Sequence, residues 1–569
     1  MSTAVANEPL ILDHVCGHAR MRANEVFLTQ PLGNGQVADY TWAQVLDQSR
    51  RMAAHLQSRG YGRGARIAIL SKNCAHFVMA ELAIWLGGYT TVAIFPTETA
   101  ETVRYVLEHS EASLLFVGKL DSWPAQLPGV PATLPRITLP LAPATRDVEG
   151  YERWDSIVAA TPALPGAPDR RGDELAMLIY TSGSTGQPKG VMTTFAAFTR
   201  ACAGVVAEVT SQNGGRLSPQ RMLSYLPLAH SYERTWVEGA SLVGGLMHLY
   251  FAESLDTFVH DIRRARPTLF VSVPRLWLKF QQGVFTRMPP ARLDRLLGMP
   301  LLGRLVARKV LKGLGLDQVT LAGSGSAPIP AELIVWYRRL GLKLMEGYGM
   351  TEDSSYSHTS SDAHNAPGCV GVPLPGVSVR LSDTGEILIK SPGQFSGYYK
   401  QPELTAECFT SDGYFRTGDL GEIDARGLLK LTGRAKELFK TSKGKFVAPA
   451  PIENRLNAHP MVELSMVSGV GQSAAYAIVV LAEALRPRQA EPALRAQVEA
   501  ELAALLKAVN AGLPEYEHLR MIVVAREPWS IENRCLTPTM KIRRSSIEAS
   551  VPAAQLERWY QSRDAVVWA

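Results

Sequence analysis

The sequence predicts a large N-terminal domain of layered α/β architecture, built of stacked α–β subdomains over residues 1–433, and a small α+β C-terminal domain over residues 434–569. Three observations carry the prediction. From about residue 10 to 120, helical patterns alternate with short apolar runs, as they do where helices cover a sheet. Near the middle, the apolar run Leu175-Ala176-Met177-Leu178 reads as a buried strand and leads into a turn crowded with Gly, Ser and Thr. After Thr432-Gly433-Arg434-Ala435-Lys436, enough chain remains for a separate unit holding a long helix, Glu491 to Val509, and a strand, Met521 to Ala525.

Taken in order, Thr41 caps a helix that begins with Trp42-Ala43-Gln44-Val45-Leu46, Ala65 to Leu70 forms a strand, and a second helix starts at Glu101. The stretch from Trp123 to Asp169, rich in Pro and Ala, reads as an irregular surface connection. Phe195 to Val209 is helical, Met222 to Leu226 is a strand running into a turn at His230, and Pro267 to Arg275 is another strand closing on a turn. From Leu301 to Leu314, Leu302, Val306 and Val310 share one stripe while Arg304, Arg308 and Lys312 share the opposite one. That pattern fits a solvated basic face and also admits a surface that docks on anionic membranes. Gly421 to Leu431 reads as strand, turn and strand.

With 569 residues, 46% of them hydrophobic and 20% charged, the chain has the composition of a soluble globular protein of two or more domains. A net charge of +6 is small for this length and carries no nucleic-acid signature, while it is compatible with acidic substrates. The six cysteines include no Cys-x-x-Cys pair, which argues against a zinc site or a disulfide framework and fits a reducing cytoplasm. No basic segment followed by an apolar core opens the chain, so no signal peptide is expected. The most apolar window, Phe77 to Phe95, contains Glu81, Gly87 and Gly88 and is expected in a domain core rather than a membrane.

The stretch Ile179-Tyr180-Thr181-Ser182-Gly183-Ser184-Thr185-Gly186-Gln187-Pro188-Lys189-Gly190-Val191-Met192 has the chemistry of a phosphate grip. Glycines let backbone approach a polyanion, hydroxyls donate hydrogen bonds, and Lys189 supplies charge. A Walker A loop is excluded, because Lys189 stands three residues after Gly186 and is followed by Gly190 rather than Ser or Thr. The string resembles the phosphate-binding loop of the adenylate-forming superfamily, which includes acyl-CoA synthetases, firefly luciferase and peptide-synthetase adenylation domains. One departure is that Thr194 is followed by Phe195 where many members have Thr-His. Leu226-Pro227-Leu228-Ala229-His230 with Glu233-Arg234, and Gly323 to Pro328, are similar to the long-chain fatty acyl-CoA synthetase branch.

What the resemblance implies can be assigned residue by residue. Thr181, Ser182, Gly183, Ser184, Thr185, Gly186 and Lys189 grip the phosphates of ATP. Thr181 and Glu352 bind magnesium, and Thr351 contacts the α-phosphate. Tyr348 stacks on adenine with Gly325, Ser326, Glu346 and Gly347 nearby, and Asp419 with Arg434 holds the ribose. His230, Ser231 and Gly323 line the acyl pocket. Lys541 swings in to neutralise charge on the α-phosphate and, with Thr351 and His230, makes up the catalytic set. Lys436 is the hinge about which a mobile small domain turns, and Gly444 lines the pantetheine tunnel.

Such a constellation answers a chemical difficulty: a carboxylate repels nucleophiles and has no usable leaving group until it becomes a mixed anhydride with phosphate. The resemblance therefore implies an AMP-forming long-chain fatty acid:CoA ligase working through an acyl-adenylate, with ATP, Mg²⁺ and CoA. An acyl-AMP ligase serving a carrier protein, or a silent adenylate-binding scaffold, are the alternatives. Peripheral contact with the inner membrane face and a homodimer remain open on sequence.

Overall fold

The computed structural model describes residues 8–121, 123–143, 151–181, 187–366, 368–537 and 540–569. Ser182, Gly183, Ser184, Thr185 and Gly186 therefore lie outside the described residues.

An eight-stranded sheet organises the large domain. Its order is 397–398, 189–194, 175–181, 90–94, 66–70, 114–117, 136–138 and 152–153, and the six strands from Leu175–Thr181 onward are mutually parallel. Lys189–Thr194 runs antiparallel to Leu175–Thr181, and Thr181 pairs with Lys189. The helix Ala75–Leu86 is buried on every side, with Trp85 donating its indole N–H to the Ala176 carbonyl at 2.9 Å. Each such large side chain contributes about 1.5–3 kcal/mol on burial, against about 0–1 kcal/mol for an exposed ion pair, so this apolar layer sets the fold. The window Phe77 to Phe95 is accordingly core, and among the described residues no helix is long and apolar enough to cross a membrane.

A four-stranded sheet, in the order 220–224, 247–251, 26–33 and 36–41, shares that core. The helix beside it, Trp42–Ser58, starts as the sequence dictates: Thr41 Oγ1 accepts from Gln44 N–H at 3.3 Å, and Gln44 Oε1 accepts from Thr41 N–H at 2.8 Å. A second core fills the space between helices 274–314 and the parallel strands 269–272, 321–324 and 344–348. The C-terminal ends of these three strands open toward the cleft described below, the usual place for ligands in parallel sheets.

An antiparallel sheet of strands 378–381, 386–390, 415–423 and 429–434 follows. The chain then passes through a short turn, Ala435–Glu437, into a last unit. That unit has a sheet of strands 462–468, 475–481, 519–524 and 566–568 packed on the helix Pro492–Ala511. Its contact with the large domain includes a carboxylate, Glu463, held between Arg275 of the large domain and Arg486 of the small one, the latter at 2.6 Å.

Two sequence readings need correction. The stretch Trp123 to Asp169 is not simply a surface connection: strands 136–138 and 152–153 extend the large sheet, and Trp123 and Trp154 are buried. Its Pro and Ala content hid large apolar residues spaced too irregularly to show a period. On the helix Leu302–Leu314, Val306 and Val310 pack against the second core beside the buried Gly303 and Ala307, but Leu302, the first of the stripe, is exposed.

Candidate active site

A cleft of about 1900 Å³ runs between the large sheets and the small domain. It brings together residues far apart in the chain: Thr181, Lys189, His230, Ser231, Gly323, Gly325, Ser326, Glu346 to Glu352, Asp419, Arg434, Lys436 and Lys541 all line it. Gly444 does not. It occupies the turn of the hairpin between Phe439–Lys440 and Phe446–Val447 with φ of 77°, while Lys440 and Phe446 reach the cleft.

Asp419 and Arg434 sit opposite each other on paired strands, which fixes their meeting. Arg434 Nε–H donates to Asp419 Oδ1 at 2.6 Å, and the Tyr348 hydroxyl donates to Asp419 Oδ2 at 2.7 Å. The charge on Asp419 holds the Arg434 guanidinium above its ordinary range, and burial with the same charge does so for the Tyr348 phenol. The result is a fixed acceptor carboxylate beside an aromatic face, suited to a ribose and its base.

Tyr348 ends a strand that turns sharply at Gly349. A Cβ there would lie 2.8 Å from the Ser355 carbonyl carbon, so only glycine lets the turn fold back on itself. The turn delivers Thr351 and Glu352. Thr351 Oγ1 is 3.3 Å from Ser231 Oγ, which is 2.7 Å from Ser355 Oγ. Glu352 Oε1 accepts from the Tyr398 hydroxyl at 2.7 Å, and Lys189 Nζ sits over the same tyrosine ring at 5.2 Å. Tyr398 was not legible beforehand. It reaches the site because Gly397–Tyr398 pairs with Val191 and Met192, a contact between residues more than two hundred apart.

This donor set fits a magnesium ion shared with phosphates. Glu352 and Thr181 offer hard oxygens and are too few to form a protein-only cage, and the described residues contain no cluster of three or more metal-binding side chains.

Glu346 is buried, accepts from Ile329 N–H at 3.1 Å through one oxygen, and has no partner on the other. Burial pushes its carboxyl up to about 8, so it is protonated at neutral pH and can donate. The sign of its pH effect follows. The folded state holds the proton more tightly than the unfolded chain, so stability from this group is full below pH 4.5 and is lost as pH rises to about 8. We expect Glu346→Gln, which mimics the protonated acid, to lose less melting temperature than the natural protein between those limits, with parallel curves above them. Parallel curves throughout would refute the assignment.

His230 caps the short helix Ser231–Glu233, its Nδ1 accepting from Tyr232 N–H at 3.1 Å. The ring proton is therefore on Nε2. Burial, then the nearby Lys541 charge, lower its pKa to about 3, so His230 acts as a neutral donor and not as a proton shuttle near neutrality. Beside it, Tyr232 forms a wall that sequence reading passed over: a Cβ on Gly325 would stand 3.2 Å from its ring, and one on Gly323 3.4 Å from its hydroxyl. Those two glycines keep a slot open along the tyrosine. Trp236 closes the next section, its indole N–H donating to the Ser355 carbonyl at 2.9 Å.

Trp236 is carried on a π-helical turn, Arg234–Gly239, of a kind concentrated at functional sites. Gly239 permits it, since a Cβ there would sit 2.3 Å from Cys202 Sγ and 2.9 Å from the Arg234 carbonyl. Beneath this turn, Arg234, Glu81 and Glu238 form a fully buried charge cluster.

Lys541 enters from the small domain on a tight loop. Leu536 bridges Ile542, Thr537 N–H donates to the Lys541 carbonyl at 2.7 Å, and Lys541 N–H donates to Thr537 Oγ1 at 3.0 Å. The side chain is wetted by the cleft yet surrounded by protein. Burial lowers its pKa first and the Arg434 charge second, with Asp419, Glu437 and Glu352 opposing. A cation thus stands among Arg434, Asp419, Glu437 and Glu352, where a phosphate would satisfy it.

Comparison with known proteins gives the family and the fold. The model of the AMP-binding enzyme family matches residues 17–399, and that of the AMP-binding enzyme C-terminal domain matches residues 437–563. A long-chain-fatty-acid–CoA ligase of Mycobacterium bovis is 31% identical, over 93% of this chain and 94% of its own. The long-chain-fatty-acid–CoA ligase 1 of Homo sapiens is 29% identical, over 89% of this chain and 81% of its own. Among solved structures, the adenylation domain of a carboxylate reductase from Mycobacterium chelonae superposes with a TM-score of 0.80 at 24% identity, over 98% of this chain and 92% of that one, which speaks to the fold alone.

Proposed function

The chain belongs to the AMP-binding enzyme family, and from that premise we infer that it joins a long-chain fatty acid to CoA with ATP, releasing pyrophosphate and AMP. The observation that carries the reading is the presence of Lys541 in one cleft with the Tyr348–Asp419–Arg434 anchor and the His230–Tyr232–Gly323 slot. A nucleotide held by the anchor has its α-phosphate toward Thr351, and an acid in the slot has its carboxylate toward His230 Nε2–H.

The first step is attack by a carboxylate oxygen on the α-phosphorus, with pyrophosphate leaving. Two anions must meet for this, so the chief task of the protein is charge neutralisation. Lys541 and the neutral His230 donor supply it from this chain, and Lys189 holds the leaving phosphates. Glu352 and Thr181 would hold magnesium, which when bound offsets charge on the phosphates. In the second step, the CoA thiolate adds to the acyl carbonyl and AMP departs. We place the boundary between the two domains at residues 433 and 434, with Lys436 as the hinge that lets the small domain present another face for thioester formation. In the closure described here Gly444 is outside the cleft, consistent with a role confined to the second step.

The test is pyrophosphate release and thioester formation over a panel of acids, with CoA or a carrier protein as acceptor. We expect long-chain acids to release pyrophosphate and CoA to take the acyl group. Release of pyrophosphate with transfer only to the carrier protein would replace CoA as acceptor, and no release with any acid would end the reading.

A further inference from the structure

The region from Arg287 to Lys312 is at odds with the rest of the surface. It carries seven basic residues, Arg287, Arg292, Arg295, Arg304, Arg308, Lys309 and Lys312, all exposed, and a single acid, Asp294. Asp294 is already taken by Arg339 at 2.8 Å, and none of the seven cations forms an ion pair among the described residues. The segment alone therefore has the net charge of the whole chain, +6.

Set among these cations are large apolar side chains in water. Leu301 is 77% exposed and Leu305 63%, with Met299 and Leu302 also exposed. Leu301 is held there at a conformational cost. It is the centre of a γ-turn of the rare positive-φ hand, with φ 61°, ψ −52° and Leu302 N–H donating to the Pro300 carbonyl at 2.7 Å. A leucine in that conformation offers nothing to the core, and its side chain projects at the start of the helix Leu302–Leu314. Leu305 follows one turn on, with Arg308 and Lys309 three and four residues beyond it, spaced so that their stems can lie along it while their charges reach outward.

We propose that this face, Met299 to Lys312 with Arg287, Arg292 and Arg295 at its edge, docks on anionic lipid bilayers, inserting Leu301 and Leu305 and setting the cations against lipid phosphates. Charge complementarity selects an anionic surface, and the exposed leucines select one with an apolar interior over a nucleic acid or an acidic protein, which would leave them wet. The face lies outside the catalytic cleft, so the proposal is independent of the reaction assigned above.

The experiment is co-sedimentation of the full-length protein with vesicles of phosphatidylcholine, with and without phosphatidylglycerol, at low and high salt. Two variants accompany it: Arg304→Gln with Arg308→Gln and Lys312→Gln, and Leu301→Ser with Leu305→Ser. The natural protein should bind only the phosphatidylglycerol vesicles and be released by salt. Loss of three cations should weaken binding on the order of 100-fold, and loss of both leucines at least about tenfold. Pyrophosphate release with a short, water-soluble acid should be unchanged in both variants. Failure of the natural protein to bind anionic vesicles would overturn the proposal. So would an unweakened leucine variant, since the surface would then be a general polyanion site.

Discussion

Lys541→Ala lowers acyl-adenylate formation by about 100- to 1000-fold while thioester formation from preformed acyl-adenylate is retained. The magnitude is that of losing one preorganised donor aimed at developing charge. Its basis is the bridge between Leu536 and Ile542 and the bonds between Thr537 and the Lys541 backbone, which place Lys541 at the cleft. Because the loop is tied by its own backbone and by Thr537, removing the side chain beyond Cβ should leave the loop in place. The loss should therefore appear in kcat of the first half-reaction more than in the KM for ATP, since Asp419 and Arg434, the proposed anchor of the nucleoside, are untouched. Rapid-quench measurement of each half-reaction separates the two. An unimpaired first step, or equal losses in both, would show that Lys541 is a structural cation.

Arg234→Met destabilises the large domain by about 3–5 kcal/mol, the largest stability effect expected here. Arg234 is fully buried between Glu81 and Glu238, with the Glu238 contact at 3.7 Å. Burial, and then the charge on Glu81, hold the Glu238 carboxyl well above its ordinary range, so it keeps its proton at neutral pH. Burial raises the Glu81 carboxyl as well, but the Arg234 charge opposes that rise, so Glu81 is the partner of Arg234 and Glu238 the neutral acid. Methionine fills much of the volume of arginine but leaves the charge on Glu81 without a partner, and an unpaired buried carboxylate must either stay charged at great cost or take up a proton. Calorimetry should show a lowered transition for the large domain, with partial recovery toward acid pH as Glu81 protonates. The π-helical turn above the cluster carries Trp236, so long acids should lose more kcat/KM than short ones. A transition temperature within a degree or so of the natural protein's would refute the assignment.

Much of this was readable in the chain because local chemistry wrote it there. The strand at Leu175, the threonine cap at Thr41 and the motifs that carry Glu352, Asp419 and Lys541 into one cleft all rest on neighbours close in sequence. What could not be read depends on contacts between distant segments. Tyr398 reaches Glu352 only because a two-residue strand pairs with Val191 and Met192, and Tyr232 becomes a wall only where Gly323 and Gly325 pass it. The histidine illustrates the same division. Its position in Pro227-Leu228-Ala229-His230 marked it for the pocket, but its tautomer and its loss of basicity depend on the Tyr232 amide and on Lys541.

Glu463 gives the two halves of the molecule a bond that can be let go cheaply. Should the small domain swing away, this carboxylate departs still neutralised by Arg486, and Arg275, already partly open to water, gains solvent in exchange. Neither side is stranded with an unmatched charge in a dry place, so parting forfeits only what a partly exposed pair is worth, about 0–1 kcal/mol. A fastening of that strength can align the halves on each return without slowing the departure.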